Sequence, residues 1–135
     1  MVDTTATRIS INAQLKRARS LESDGCTEEA IKDYRAIITK DRLNVDAYNR
    51  LMVLFRKQKD YKKEHQIIKK ALLAFEKEIK ENQREWKKTN RKSADLSENL
   101  AKALGLLDNL GDPIYDDPQM MTWRKRLRVV EQKLK

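Results

Sequence analysis

The feature that most constrains this chain is an internal period. The shift that lays Ala18 on Met52 also lays Leu21 on Phe55, Gly25 on Lys59, Thr27 on Tyr61, Tyr34 on Ile68, Ile37 on Ala71 and Ile38 on Leu72. A period of about 34 residues accommodates a helix, a tight turn and a second helix, and so short a unit cannot bury its own apolar face. It has to stack on a neighbour, and about three such units are needed for a continuous core. An all-α stack of three helix pairs is the expected fold class.

Local patterning agrees with this reading. Ile11, Leu15, Ala18 and Leu21 line one face of a first helix expected over about Ser10–Asp24, which stops at Gly25, a residue suited to the left-handed end of a helix. Thr27 followed by Glu28 and Glu29 reads as an N-cap with acids at the positive helix end. Ala30, Ile31, Tyr34, Ile37 and Ile38 form the next buried stripe. A third helix starts near Val45, carries Tyr48, Leu51, Met52 and Phe55 inward, and breaks at Lys59-Asp60, with Asp60 capping a fourth.

In that fourth helix Ile68, Leu72, Phe75 and Ile79 follow a 4-3-4 spacing, and Trp86 falls one heptad further on. No breaker interrupts Tyr61–Lys88, which predicts about 28 helical residues and a length of ~42 Å at 1.5 Å per residue. A break within 89–93 and a cap at Ser93 introduce a further helix with a Leu96, Leu100, Ala103, Leu107, Leu110 seam. Gly111-Asp112-Pro113 ends it. Asp117-Pro118 opens the last helix, with Asp as N-cap and Pro in the first helical position. Its inward positions are Met120, Trp123, Leu127, Val130 and Leu134, able to face the Leu96–Leu110 seam or a second copy of the chain.

The organisation that follows is an N-terminal segment 1–10, a first unit 11–44, a second unit 45–92 with an extended second helix, and a C-terminal hairpin 93–135. The step from the helix start at Val45 to that at Ser93 exceeds the period by about 14 residues, which is about four helical turns. An insertion of that length returns the apolar stripe to its original face. The final hairpin therefore reads as a stretched capping unit.

Helix pairs at this period resemble the tetratricopeptide repeat family. Gly25-Cys-Thr-Glu28-Glu29-Ala30-Ile31 is the most similar string, and Tyr48, Leu51, Phe55, Tyr61, Ile68 and Ala71 stand where that family keeps packing residues. Met52 replaces a small residue and implies a wider second pair, while Glu64 stands in place of Ala and Lys59 in place of the turn Gly. Glu76 stands where a proline often ends a unit, consistent with a helix that runs on. The resemblance implies a right-handed α-α superhelix, a protein-interaction role and a ligand groove lined by the first helix of each pair. Matching positions are Asn12, Leu15, Arg19, Glu22 and Ser23, then Asp46, Asn49, Val53, Arg56 and Lys57. The Lys/Asn clamp that one subclass uses for a C-terminal carboxylate is absent, since Leu15, Arg19 and Arg50 occupy its places. Arg19, Asn49, Arg56 and Lys57 remain suited to an acidic peptide.

Charge adds a second feature. Residues 56–92 hold 14 basic and 6 acidic side chains, supplying nearly all of the chain's +9. The plainer reading of this segment is a solvated helix face; the functional one is attraction of an acidic partner, a nucleic acid or another anionic surface. Homodimerisation is a further expectation should the long helix lack an intrachain partner.

Catalysis is not expected. His65, the sole histidine, sits beside a buried stripe; Cys26, the sole cysteine, reads as a small filler at a turn and excludes an intrachain disulfide. Asp112, Asp116 and Asp117 lack the alternating oxygen ligands of a calcium loop, and there is no phosphate-cradling glycine loop or cysteine–histidine metal pattern. No enzyme activity, cofactor or metal is expected. No apolar run could span a bilayer, and the N-terminus lacks a secretory layout, so a cytoplasmic compartment is the expectation.

Overall fold

The computed structural model describes residues 4–89, 99–100 and 117–135. The Leu96–Leu110 seam, the Ser93 cap and the Asp112–Asp116 stretch lie outside the described residues, apart from the pair at 99–100. Within that range the chain is helical, with no strand: α1 (Thr4–Ser23), α2 (Thr27–Lys40), α3 (Val45–Lys57), α4 (Tyr61–Thr89) and α5 (Pro118–Leu134). No helix among them is long and apolar enough to cross a membrane.

The turns show the repeat in the backbone itself. After α1 the Cys26 N–H bonds the Leu21 carbonyl at 2.8 Å and the Gly25 N–H bonds that of Glu22 at 3.2 Å. After α3 the Asp60 N–H bonds the Phe55 carbonyl at 2.9 Å and the Lys59 N–H bonds that of Arg56 at 3.0 Å. The two helix stops share one left-handed pattern, and every donor and acceptor of the first has its counterpart one period later in the second. Gly25 adopts φ +82° and Lys59 φ +56° to make them. The lysine takes the same left-handed conformation as the glycine, at the steric cost of its Cβ.

Helix starts follow their capping chemistry. Asn44 accepts the Ala47 N–H at 3.0 Å, Asp60 accepts that of Lys63 at 3.2 Å, and Asp117 accepts that of Met120 at 3.1 Å with Pro118 next in line. Three local expectations are corrected. Helix α2 begins at Thr27 itself, with Cys26 in the cap position making no side-chain bond; the Cys26 carbonyl accepts the Ala30 N–H at 3.0 Å, which places Thr27 inside the first turn. Cys26 is exposed and so is no filler. Helix α1 begins at Thr4 rather than Ser10. Once nucleated, a helix extends upstream at one hydrogen bond per residue without needing an apolar stripe to announce it.

The helices pack in chain order: α1 on α2, α2 on α3, α3 on α4, and α4 on α5. One core joins them, from Ile11, Leu15 and Ala18 through Tyr34, Leu51, Phe55 and Ile68 to Met120, Trp123 and Val130, with Leu21, Phe75 and Ile79 packed against it. Leu21 and Phe55, equivalent by the period, thus serve the same core. Helix α5 runs antiparallel to α4: Lys133 lies over the Tyr61 ring, while Trp123 meets Phe75 edge-on with ring centroids 5.4 Å apart. Trp123 also meets Tyr48 of α3 at 6.1 Å and donates its indole N–H to Asn49 at 2.8 Å. The last helix therefore packs on α4 and touches α3, burying Met120, Trp123 and Val130, while Leu134, expected inward, is exposed.

Candidate functional site

Three carboxylates tie the stack together, and one of them shapes the candidate site. On the α1–α2 face, Arg17 donates to both oxygens of Asp33, at 2.8 and 2.6 Å. Glu22, on the last turn of α1, accepts the Tyr34 hydroxyl at 2.9 Å from α2 and the Arg50 guanidinium from α3 through both of its oxygens. Arg50 is the main reason the Glu22 carboxyl titrates below the usual range, against an opposing push from burial. Burial, and then the bond to Glu22, push the Tyr34 hydroxyl from 10.0 up to about 12. Glu64 of α4 is fully buried, yet it accepts from Arg126 of α5 at 2.7 and 3.1 Å and from Arg56 of α3 at 3.4 Å. A buried carboxylate is tolerated only when charge and lone pairs are both satisfied, and these two arginines do so.

The Glu22–Arg50 pair forms the floor of a solvent-open cleft of about 480 Å³ between α1 and α3, lined by Arg19, Glu22, Ser23, Arg50 and Lys57. Of the positions the sequence implicates, the structure thus brings together Arg19, Glu22, Ser23 and Lys57. Asp46 reaches Arg19 at 3.5 Å along the same edge, both side chains largely in water.

The other positions take different places. Asn12 is exposed further up α1, while Leu15 is buried in the core. Asn49 is engaged by the Trp123 indole and lies 3.4 Å from the Gln119 side chain. Val53 is half-buried, and Arg56 is drawn toward Glu64.

Sequence reasoning misses Arg50 as a lining residue and marks it only as a departure from a carboxylate clamp. The available signal is its pairing with a glutamate far away in the sequence, visible only once α1 and α3 are known to lie side by side. Glu64 likewise stands out in the sequence only as a misfit. A lone carboxylate inside the Ile67, Ile68, Ala71, Leu72 stripe already demands a cationic partner.

The remaining candidates show no such assembly. His65 lies 3.4 Å from Glu131, half-buried at the α4–α5 seam. Trp86 is 48% exposed, and its phase on α4 is the one shared by Ile79 and Phe75. Among the described residues no group of three His, Cys, Asp or Glu side chains is placed to hold a metal ion. No family model, curated protein or solved structure matches this chain.

Proposed function

We propose that this chain is a protein-interaction module whose α1–α3 cleft receives an extended acidic segment of a partner. The reading draws on the resemblance to tetratricopeptide repeats, with a right-handed superhelical course for the helix pairs. The observation that carries it is the cleft with a charge-locked floor. Glu22, Arg50 and Tyr34 are fixed to one another across three helices, leaving Arg19 and Lys57 on the rim and exposed to solvent. A surface already held in place binds a peptide without first being ordered, so little of the contact energy is lost to conformational entropy.

A photo-crosslinking amino acid at Ser23, inside the cleft, and one at Thr39, on the exposed side of α2, test this in the native cell. Discrete protein adducts are expected from Ser23 and not from Thr39, and they should disappear in Arg19→Glu/Lys57→Glu. Equal labelling from both positions, or Ser23 adducts that survive the charge reversal, would refute the assignment.

A further inference from the structure

A second surface lies on α4, away from the cleft. The outward arc of this helix carries Lys62, Lys69, Lys70, Lys77, Lys80 and Arg84, all exposed, with Gln66 and Leu73 between them and no acid among them. At 100° per residue these positions fall within about 100° of arc, and the row from Lys62 to Arg84 is about 33 Å long.

Three acids near the row each have an arginine from another element beside them. Glu76 pairs with Arg124 at 3.3 Å, and Glu78 and Glu81 are approached by Arg42 at 3.0 and 3.7 Å. Within the row only Lys77 has an acid near it, Glu81 at 4.0 Å; Lys62, Lys69, Lys70, Lys80 and Arg84 make no ion pair among the described residues. The arginines divide differently, since Arg17, Arg42, Arg50, Arg124 and Arg126 are each held by an intramolecular carboxylate.

We infer that this row is a docking surface for the phosphodiester backbone of a nucleic-acid duplex. Three classes of polyanion could answer such a charge, and the apolar content of the face separates them. A folded protein docking on an open helix face, unlike an extended segment seated in a cleft, needs a central aromatic or aliphatic cluster to hold on to. A lipid surface needs a broad apolar face beneath the cations. This face offers a single apolar side chain, Leu73. A phosphate backbone needs neither, because its affinity comes from released counterions. The straightness of the row suits a duplex, and the row carries no aromatic on which single-stranded bases could stack; Trp86 stands on the opposite side of the helix.

The test is fluorescence anisotropy of the full chain with a labelled duplex of about two helical turns, a single strand of the same length and RNA counterparts of both, across a salt series. Duplex binding is expected at about 50 mM salt, with a slope of log affinity against log salt of about −4, as four or five neutralised phosphates would give. Lys69→Glu/Lys77→Glu/Lys80→Glu should lose at least about thirty-fold and flatten the slope by about three, each lysine contributing about one. Lys69→Gln/Lys77→Gln/Lys80→Gln should lose less in the same direction, with helicity by circular dichroism unchanged in both. Arg19→Glu/Lys57→Glu should leave the slope intact, which separates this surface from the cleft. Absent duplex binding at low salt, a slope shallower than about −1, or equal binding by the Lys→Glu triple variant would overturn the inference. So would equal or tighter binding to poly-glutamate or to anionic lipid vesicles.

Discussion

Among single residues, the two helix stops form a matched pair with opposite expectations. Gly25→Ala should destabilise the fold by about 1 kcal/mol from the left-handed backbone alone, since no heavy atom lies within 4 Å of the new methyl group. Lys59→Gly, at φ +56°, should stabilise it by about 0.5–1 kcal/mol, the relief of strain being partly offset by the entropy of an unfolded glycine. Urea midpoints of the two variants check both signs.

Glu64 is the residue whose loss should be most disruptive to the α4–α5 seam. Glu64→Gln leaves Arg126 without a charge partner and should cost about 2–3 kcal/mol, below the range for a wholly buried pair because Arg126 keeps about a fifth of its side chain in water. A chemical-denaturation curve measures it directly.

The carboxylates also set the acid limit of stability. Glu22 and Asp33 both titrate below their ordinary values, chiefly through their hydrogen bonds to Arg50 and Arg17. A lowered folded value means a contribution that is present above the unfolded carboxylate range and lost as pH falls through the folded values. Thermal midpoints should hold from neutral pH to about 5 and then drop, and the drop should be shallower in Glu22→Gln/Asp33→Asn. Tyr34 acts with the opposite sign, since a value raised to about 12 gives stability that declines as pH rises above 10.0.

For the helices and their junctions, how much can be read from the sequence depends on whether a signal is local. The Asp60 and Asp117 caps, the Gly25 stop and the unbroken α4 are all legible, because each rests on residues within a few positions of one another. Helix α4 runs for 29 residues, slightly longer than its lack of breakers predicts. The start of α1 is not legible, since Thr4–Arg8 carries no apolar periodicity to mark it. The ion pairs are not legible either. Arg17–Asp33, Glu22–Arg50 and Glu64–Arg126 are separated by 16, 28 and 62 residues, and apart from Glu64, a misfit in its apolar stripe, nothing local distinguishes their members from surface charge.

The most consequential helix is α5, which the period does not place. Its Trp123 fills a pocket between α3 and α4, so Trp123→Ala should cost about 3–5 kcal/mol through the cavity it leaves. Trp123→Phe keeps most of the volume and should lose about 1 kcal/mol with the bond to Asn49. A calorimetric comparison of these variants separates packing from hydrogen bonding.

Taken together, the described helices form one body: a ladder that shares a single core and is cross-tied by buried or half-buried carboxylates. Its α1–α3 edge is held open as a cleft, and the outer side of α4 is left to cations. The cleft is partly legible, because the period puts Arg19, Glu22, Ser23 and Lys57 on first-helix positions. The outward row on α4 is legible as an excess of charge in 56–92 but not as a continuous face, which needs the helix to be unbroken and arginines from other elements to stand beside the acids near the row.

One shared core requires the last helix to close the stack rather than hang apart from it. Nuclear Overhauser contacts from the Trp123 indole protons decide between these two arrangements. Cross-peaks to the ring protons of both Tyr48 and Phe75 are expected from centroid separations of 6.1 and 5.4 Å. A Trp123 indole with water-like fluorescence and no cross-peak to either ring would contradict a closed stack.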